Sequence, residues 1–361
     1  MTNVLMCGPM NISGGVSIHM KNISECLSNM GFNIIFYDFS KNDTNNMYIG
    51  NFMKLYRRTI GLLTKAIIAH NDYDLIHIQS SGGICSFIST FTGALISKIF
   101  NKKLIVTFHY RPSIQFVEKY RFLFSFVLSN SKAFFVVSNK QKKLIENIFP
   151  WASNKVAVIS NGFDAAKFKI IDKQLCRRTL YLPNDSKILL TIGNLFNVKG
   201  HKYLIEAVHQ LVYVHRKDII CIIIGSGPLE EEIKEQIKSL NLEYNVLLAG
   251  NIAHDKIPIW LNSCDIFVLP SLIEGNPTVM FESIGCGKPF IGTDVGGIPE
   301  VIISNKYGLL CEPQNSAKLV ENILEALEKK WSAIDIVEYS KQFRWDIVAE
   351  KIAIVYQKTN L

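Results

Sequence analysis

Two glutamates, Glu274 and Glu282, bracket the segment Gly275-Asn276-Pro277-Thr278-Val279. The apolar run at 265–269 before them reads as a buried strand, and the residues from Pro277 onward read as a helix. Asn276 is a favoured N-cap and proline is tolerated at the first helical position, so the letters predict a helix capped by Asn276 that starts at Pro277. The amides of Thr278 and Val279 then lie at the positive helix end, which suits a phosphate. A carboxylate beside a phosphate is unfavourable unless it serves another part of the same ligand. Sugar hydroxyls are such a part, because a carboxylate accepts their protons. A solvated loop residue at Glu274 and a first-turns acid at Glu282 would read the same way, and the stretch alone weighs the two readings evenly.

Other places carry residues of a suitable type. The loop Gly193-Asn194-Leu195-Phe196-Asn197-Val198-Lys199-Gly200 joins a predicted strand to a predicted helix, and Lys199 at its exit suits a point contact to a diphosphate. The G-x-x-x-x-G-K-[ST] order of a Walker A loop is absent. Gly225-Ser226-Gly227-Pro228 lacks the third glycine of a dinucleotide fingerprint and reads as a tight turn passing close to the ligand. Gly14-Gly15 follows the first predicted strand and opens a helix, where glycine lets a ligand approach the backbone. His109 closes the fourth predicted strand. By type alone a structural histidine is favoured about two to one, and a place at a strand's carboxyl end brings the readings level.

These residues need elements to hold them. Apolar runs at 3–7, 33–37, 74–78, 103–108, 133–137 and 156–159 predict strands, alternating with helical patterns at 16–30, 52–70, 84–100, 116–130 and 140–149. Asn161-Gly162-Phe163-Asp164 reads as a turn leading out of this domain, and 165–186 as a linker with an entry helix. The alternation restarts with strands at 187–192, 219–224, 246–249, 265–269, 289–292 and 308–311. Strand and helix in alternation imply parallel, doubly wound sheets. The fold class expected is α/β, two Rossmann-like domains in series facing each other across a cleft. The candidate residues fall at carboxyl ends of strands, where such sheets bind ligands.

Composition narrows the function. At 361 residues two domains are the natural expectation, and 48% hydrophobic against 19% charged residues excludes disorder. The start shows no basic n-region of a signal peptide, and the eight cysteines contain no C-x-x-C pair, which predicts reduced thiols, a cytoplasmic protein and no zinc site. Residues 1–165 hold 17 Lys and Arg against 8 Asp and Glu, whereas the remainder holds 22 against 23. The basic residues of the first half are mixed with aromatics, which suits peripheral contact with an anionic membrane, and equally suits snorkelling side chains on ordinary amphipathic helices. No nucleic-acid motif accompanies the charge. The apolar run at 84–100 is too short to span a bilayer and reads as a packed helix.

Along the chain the motifs form an ordered series: Gly-Gly-Val at 14–16, Val-Ser at 137–138, Asn-Gly-Phe-Asp at 161–164, Lys-Gly at 199–200, and Pro-Ser-x-x-Glu-Gly at 270–275. The last opens an E-x7-E that ends at Glu282 and is followed by Gly-Cys-Gly-Lys-Pro-Phe-Ile-Gly-Thr-Asp-Val-Gly-Gly-Ile-Pro-Glu. In these motifs the sequence resembles, over nearly its whole length, the retaining glycosyltransferases of family 4. That is a large GT-B group including lipopolysaccharide, O-antigen and phosphatidylinositol sugar transferases.

The resemblance implies an acceptor-binding domain at 1–165, a nucleotide-sugar donor-binding domain at 166–344 and a C-terminal helix at 345–361 that crosses back onto the first domain. It implies that Glu282 binds ribose hydroxyls, that Glu274 faces the donor sugar and diphosphate, and that the segment Gly275, Asn276, Pro277, Thr278, Val279 holds phosphate or sugar through its amides. Lys199 would neutralise the diphosphate, Gly15 would approach it from the other domain, and His109 would sit by the donor sugar. His109, Lys199 and Glu274 are thus the expected catalytic residues. No cofactor or metal is implied, and a nucleoside diphosphate sugar is the expected donor, with a glycan or lipid-linked acceptor. Asn194 stands where the family commonly has an arginine. A partner subunit that binds a nucleotide sugar without turnover is therefore the alternative. A dinucleotide-dependent oxidoreductase would need a complete G-x-G-x-x-G, which is absent.

Overall fold

A computed structural model describes residues 2–10, 14–40, 47–215 and 217–360. The chain divides into one unit of Met1–Gly162 with Trp345–Leu361, and another of Phe163–Arg344. Each unit is built on a parallel sheet of six strands.

In the first unit the strands are β1 (Asn3–Gly8), β2 (Asn33–Asp38), β3 (Leu75–Ser80), β4 (Lys103–Phe108), β5 (Ala133–Val136) and β6 (Val156–Val158). Their order is β2-β1-β3-β4-β5-β6. Alternate side chains enter two different cores. Leu5, Cys7, Ile76, Ile78, Leu104 and Val106 belong to one, while Val4, Met6, Leu75, Ile105 and Phe135 belong to the other. Burial on both faces is why these strands read as unbroken apolar runs.

The second unit contributes β7 (Lys187–Ile192), β8 (Ile219–Ile224), β9 (Val246–Gly250), β10 (Ile266–Leu269), β11 (Phe290–Thr293) and β12 (Gly308–Cys311), in the order β12-β11-β10-β7-β8-β9. Its order reverses between β7 and β10; in the first unit the reversal lies between β1 and β3. The crevice at such a reversal, beyond the carboxyl ends, is where doubly wound sheets bind ligands.

Two predicted helices are interrupted. The segment predicted at 52–70 starts earlier, ends two residues sooner and is divided into Met47–Tyr56, a π-helical turn Arg57–Gly61 and Leu62–Ile68. The Tyr37 hydroxyl donates to the Arg57 carbonyl at 2.9 Å, and a side chain inserted at the helical ladder is a usual origin of such a turn. The segment 116–130 becomes Ile114–Lys119 and Arg121–Asn130, with Tyr120 between them at φ −112°. Ser113 caps the first piece by accepting from the Phe116 amide at 3.3 Å.

The helix Trp345–Asn360 buries Trp345, Val348, Ala349, Ile352, Ala353 and Tyr356 in the same core as Val4, Met6, Met20 and Leu75. That helical spacing gives it one apolar face, and its core partners lie in the first unit. No helix of the described residues is long and apolar enough to cross a membrane. The helix Ile84–Phe100 packs in the first unit, with Phe87, Ala94 and Ile96 fully buried.

Candidate active site

The second unit assembles its site from the loops after β7 and β10, the two strands at its reversal. The Leu272 amide donates to the Val198 carbonyl at 2.8 Å, tying the two loops together. Gly200, at φ 68°, packs so closely that a Cβ would stand 2.0 Å from the Pro270 carbonyl oxygen. Only glycine tolerates both demands. Tied in this way, the loops bring Lys199 Nζ to 2.6 Å from Glu274 Oε1, and the Ser271 hydroxyl donates to the same oxygen at 2.7 Å. The ammonium has three N–H donors, so one on Glu274 leaves two for a ligand.

Beneath this pair the second loop rests on Gly296-Gly297. Gly296 adopts φ 57° with its Cβ position 2.2 Å from the Glu274 carbonyl oxygen, and the Gly297 amide donates to the Gly275 carbonyl at 2.7 Å. The glycine-rich stretch after β11 is thus a support for the E-x7-E loop.

The helix after this loop begins one residue later than expected. It runs Thr278–Gly285, and Pro277, at φ −70° and ψ 124°, occupies the N-cap with no side-chain cap bond. Asn276 is therefore not the cap but a buried residue of the loop before it. The extended ψ at Pro277 places it outside the helix and leaves Thr278 and Val279 as the first two helical residues. Their amides have no acceptor within the helix.

Glu282 is 4% exposed, so its carboxylate needs a partner. It finds one in His254, whose Nε2 lies 2.8 Å from Glu282 Oε1. That bond, against the opposing effect of burial, raises the His254 pKa above its ordinary value. His254 is absent from the sequence expectations, because an isolated histidine 28 positions before Glu282 carries no local signal.

The structure also places the Gly225 turn and Asn194. The Gly225-Ser226-Gly227 turn packs against the protein itself: the Leu195 amide donates to the Ser226 carbonyl at 2.9 Å, and a Cβ on Gly225 would stand 2.0 Å from the Gly193 carbonyl oxygen. Its glycines serve contact between loops. Asn194 is exposed, and Lys199 is the cation that its loop carries. The nearby His201 ring has its pKa lowered to about 4, chiefly by burial, and is neutral.

In the first unit, Gly14 caps and Gly15 begins the helix Gly15–Asn29 after β1. Among the described residues nothing lies within 4 Å of a Cβ placed on Gly14. His109 follows β4 and is half-buried. Its Nε2 lies 2.7 Å from Gln79 Oε1, and its ring meets His19 edge-on at 4.5 Å between centroids. Burial, with His19 and His77 nearby, holds the His109 pKa well below the usual range. His19 is lowered to about 4 and His77 to about 3, in both cases mainly by burial. All three rings are neutral near physiological pH. Asn161 holds His19 Nδ1 at 2.9 Å, and His77 Nδ1 lies 2.5 Å from the Tyr356 hydroxyl. His77 and Gln79 lie outside the sequence expectations too, although the strand carries a signal for them: two polar residues at alternate positions of an otherwise apolar run.

Among the described residues, no group of three His, Cys, Asp or Glu side chains is arranged to hold a metal ion. All eight cysteines are free.

Residues 172–343 match the family described as Glycosyl transferases group 1, and residues 13–167 match Glycosyltransferase Family 4. The chain belongs to this family of glycosyltransferases. It is 29% identical over 360 residues to an uncharacterized glycosyltransferase of Methanocaldococcus jannaschii, covering 96% of this chain and 95% of that protein. Among solved structures it is similar to a sucrose-phosphate synthase from Thermosynechococcus elongatus, at 20% identity, 99% coverage of each chain and a TM-score of 0.82. It is also similar to HepE of Anabaena in complex with UDP-glucose, at 21% identity, a TM-score of 0.78 and coverage of 99% of this chain and 100% of that one. These neighbours share the GT-B fold.

Proposed function

We propose that this protein transfers a sugar from a nucleoside diphosphate sugar to an acceptor hydroxyl with retention at the anomeric carbon. The observation that carries the reading is the convergence of Lys199, Glu274 and the free amide end at Thr278 and Val279 beside the reversal of the second sheet. Cation and amides suit the two phosphates. Glu274 orients Lys199 and accepts a sugar hydroxyl on its other oxygen, while Glu282 accepts the ribose hydroxyls. In this reading, Gly15 and His109 of the first unit supply further contacts to diphosphate and sugar.

The chemistry rests on where charge develops. As the bond from the anomeric carbon to the phosphate oxygen breaks, the sugar becomes oxocarbenium-like and the diphosphate gains negative charge. Lys199 and the two amides stabilise that charge, and their interaction is stronger in the transition state than with the bound donor. The acceptor oxygen then bonds to the anomeric carbon on the face the phosphate leaves, and its proton passes to the leaving phosphate oxygen. This scheme assigns the metal's usual role to Lys199 and the helix end, so turnover is expected to survive a chelator.

The acceptor we propose is a growing cell-surface polysaccharide, O-antigen or glycolipid. The basic first unit supports this, since Phe52, Ile60, Ile68 and Phe122 are exposed on a chain whose first half carries the excess of Lys and Arg. Such a surface fits peripheral contact with an anionic membrane at the cytoplasmic face. Sedimentation with anionic but not neutral vesicles is the expected result.

The second reading, a nucleotide-sugar-binding subunit without turnover, is favoured by one observation, a neutral Asn194 whose carbonyl faces a neutral histidine, His201, at 3.4 Å. Acceptor-dependent release of free nucleoside diphosphate separates the two. A thermal-shift panel of UDP-, GDP-, ADP- and CMP-linked sugars identifies the donor, because ligand at about 100 times its Kd stabilises by roughly 2.7 kcal/mol. Binding without release supports the subunit, and no shift with any donor overturns both.

A further inference from the structure

A run of polar side chains crosses the otherwise apolar interior of the first unit. In register, Met6 of β1 lies beside His77 of β3, and Gln79 of β3 beside Thr107 of β4. Alternation places His77 and Gln79 on one face of the sheet, the face covered by Trp345–Asn360. Both residues are fully buried. His77 Nδ1 lies 2.5 Å from the Tyr356 hydroxyl, and its Nε2 lies 2.7 Å from Thr107 Oγ1 and 3.3 Å from Gln79 Nε2. Gln79 Nε2 also points at the Met6 sulfur, at 3.5 Å. At the far end Gln79 Oε1 lies 2.7 Å from His109 Nε2.

The amide can stand only one way round in these surroundings. The Met6 thioether is an acceptor without a proton, so the NH2 end of Gln79 belongs beside it and the carbonyl end beside His109. Reversing the amide would press an oxygen lone pair on sulfur and lose the donor that reaches it. A carbonyl oxygen facing His109 Nε2 requires that nitrogen to carry the ring proton. In a neutral imidazole the other nitrogen is then an acceptor, and His109 Nδ1 has no bond to any described residue.

We infer that Gln79 is a positioning residue that fixes His109 in its Nε2–H tautomer, leaving Nδ1 to accept a hydrogen bond from a hydroxyl of the bound sugar. Met6 and His77 orient Gln79, and Tyr356 of the C-terminal helix braces His77. The role of His109 toward sugar rests on the glycosyltransferase mechanism proposed above, whereas the tautomer does not. The titratable groups around His109 are His19 of the Gly15–Asn29 helix, His77 of β3 and, beyond His77, Tyr356 of the C-terminal helix; no carboxylate is among these described neighbours.

Two readouts test it. Long-range proton–nitrogen NMR of the histidine-labelled full chain, with His109→Gln to assign the signal, reads the tautomer directly. The wild type is expected to show Nε2–H alone at His109, and Gln79→Leu a mixture of both forms. Gln79→Glu is close to isosteric and guards against a Leu variant that fails to fold. Its carboxylate favours the imidazolium, so turnover should fall as pH is lowered into the ordinary histidine range, where the wild type stays level. In Gln79→Leu a drop of about tenfold in kcat with little change in donor KM is expected, in the range of a lost orienting contact. An Nδ1–H signal in the wild type, or a tautomer unmoved by Gln79→Leu, overturns the inference. An unchanged pH profile in Gln79→Glu overturns it as well. Absence of any sugar transfer by the wild type would instead sink the proposed function, and the NMR result would still decide the tautomer.

Discussion

The two units share a six-stranded parallel sheet but equip its carboxyl end with opposite chemistry. In the second, ionisable pairs face one another: Lys199 on Glu274, and His254, its pKa raised by the contact, on Glu282. In the first, β3, the helix Gly15–Asn29 and the loops beyond the strands hold neutral rings and amides: His77, Gln79 and His109 joined by hydrogen bonds, and His19 bonded to Asn161. The difference comes from burial. A charge is kept where a partner and some solvent remain, as for Lys199, whose side chain is 23% exposed. His19 and His77 have no exposure and no ionic partner among the described residues, so they stay unprotonated.

Ion pairs also occur where no ligand is expected. Arg177, 2% exposed, donates to Asp265 at 2.7 Å, and Lys173 reaches the other oxygen at 2.8 Å. Burial alone would raise the Asp265 pKa, but Lys173, the Ile188 amide and Arg177 hold it below the usual value. This cluster lies at the amino end of β10, the opposite end of the strand from the Glu274 loop. It ties the helix Lys173–Thr179 to the sheet.

The sharpest test of the contrast removes the charged half. Lys199→Ala is expected to lower turnover by about two to three orders of magnitude, the usual effect of deleting a group that stabilises transition-state charge, and Glu282→Ala to lower it as well, through loss of the hold on the donor's ribose. Thermal unfolding should remain cooperative, and wild-type turnover in either variant would break the assignment. Acidification tests the neutral half. A histidine with a lowered folded pKa binds its proton more readily when unfolded, so stability is present above pH 6.5 and is lost as pH falls towards about 4 for His19 and about 3 for His77. Each costs on the order of 3–5 kcal/mol by the lower end of that window. Amide exchange should therefore accelerate in the first unit more than in the second, where His201 has a like shift and His254 an opposite one. Equal acceleration would remove the distinction.

Smaller effects sharpen it. Gly296→Ala forces a Cβ toward the Glu274 carbonyl at a left-handed φ, and a loss of about 1–3 kcal/mol is expected with a raised donor KM. An unaltered KM would detach the glycine pair from the site. His254→Gln should change donor KM only severalfold, and calorimetry on both proteins gives the sign. The folded His254 pKa is raised, so its contribution is complete below pH 6.5 and disappears as pH rises through the folded value. The Tm gap between wild type and variant should accordingly close towards alkaline pH. A gap that widens there would mean that Glu282 is not its partner.

Much of the second unit's site was legible in the letters because its parts are local. Glu274, Asn276, Pro277 and Glu282 lie within one loop and the first turns of one helix, and strand endings such as 187–192 and 308–311 come from apolar runs bounded by turn residues. The N-cap moved by a single position, since proline's fixed φ is compatible with both places while only its ψ distinguishes them.

By itself the sequence determined two doubly wound sheets and the placing of Lys199, Glu274, Glu282 and His109 after strands, because alternating apolar runs and strand-end loops are written in neighbouring residues. Tertiary structure alone decided which residues complete the sites. His254 meets Glu282 across 28 positions, and Tyr356 meets His77 across 279. The neutrality of the buried histidines was likewise decided there, since protonation depends on desolvation and on neighbours that only the folded chain brings together.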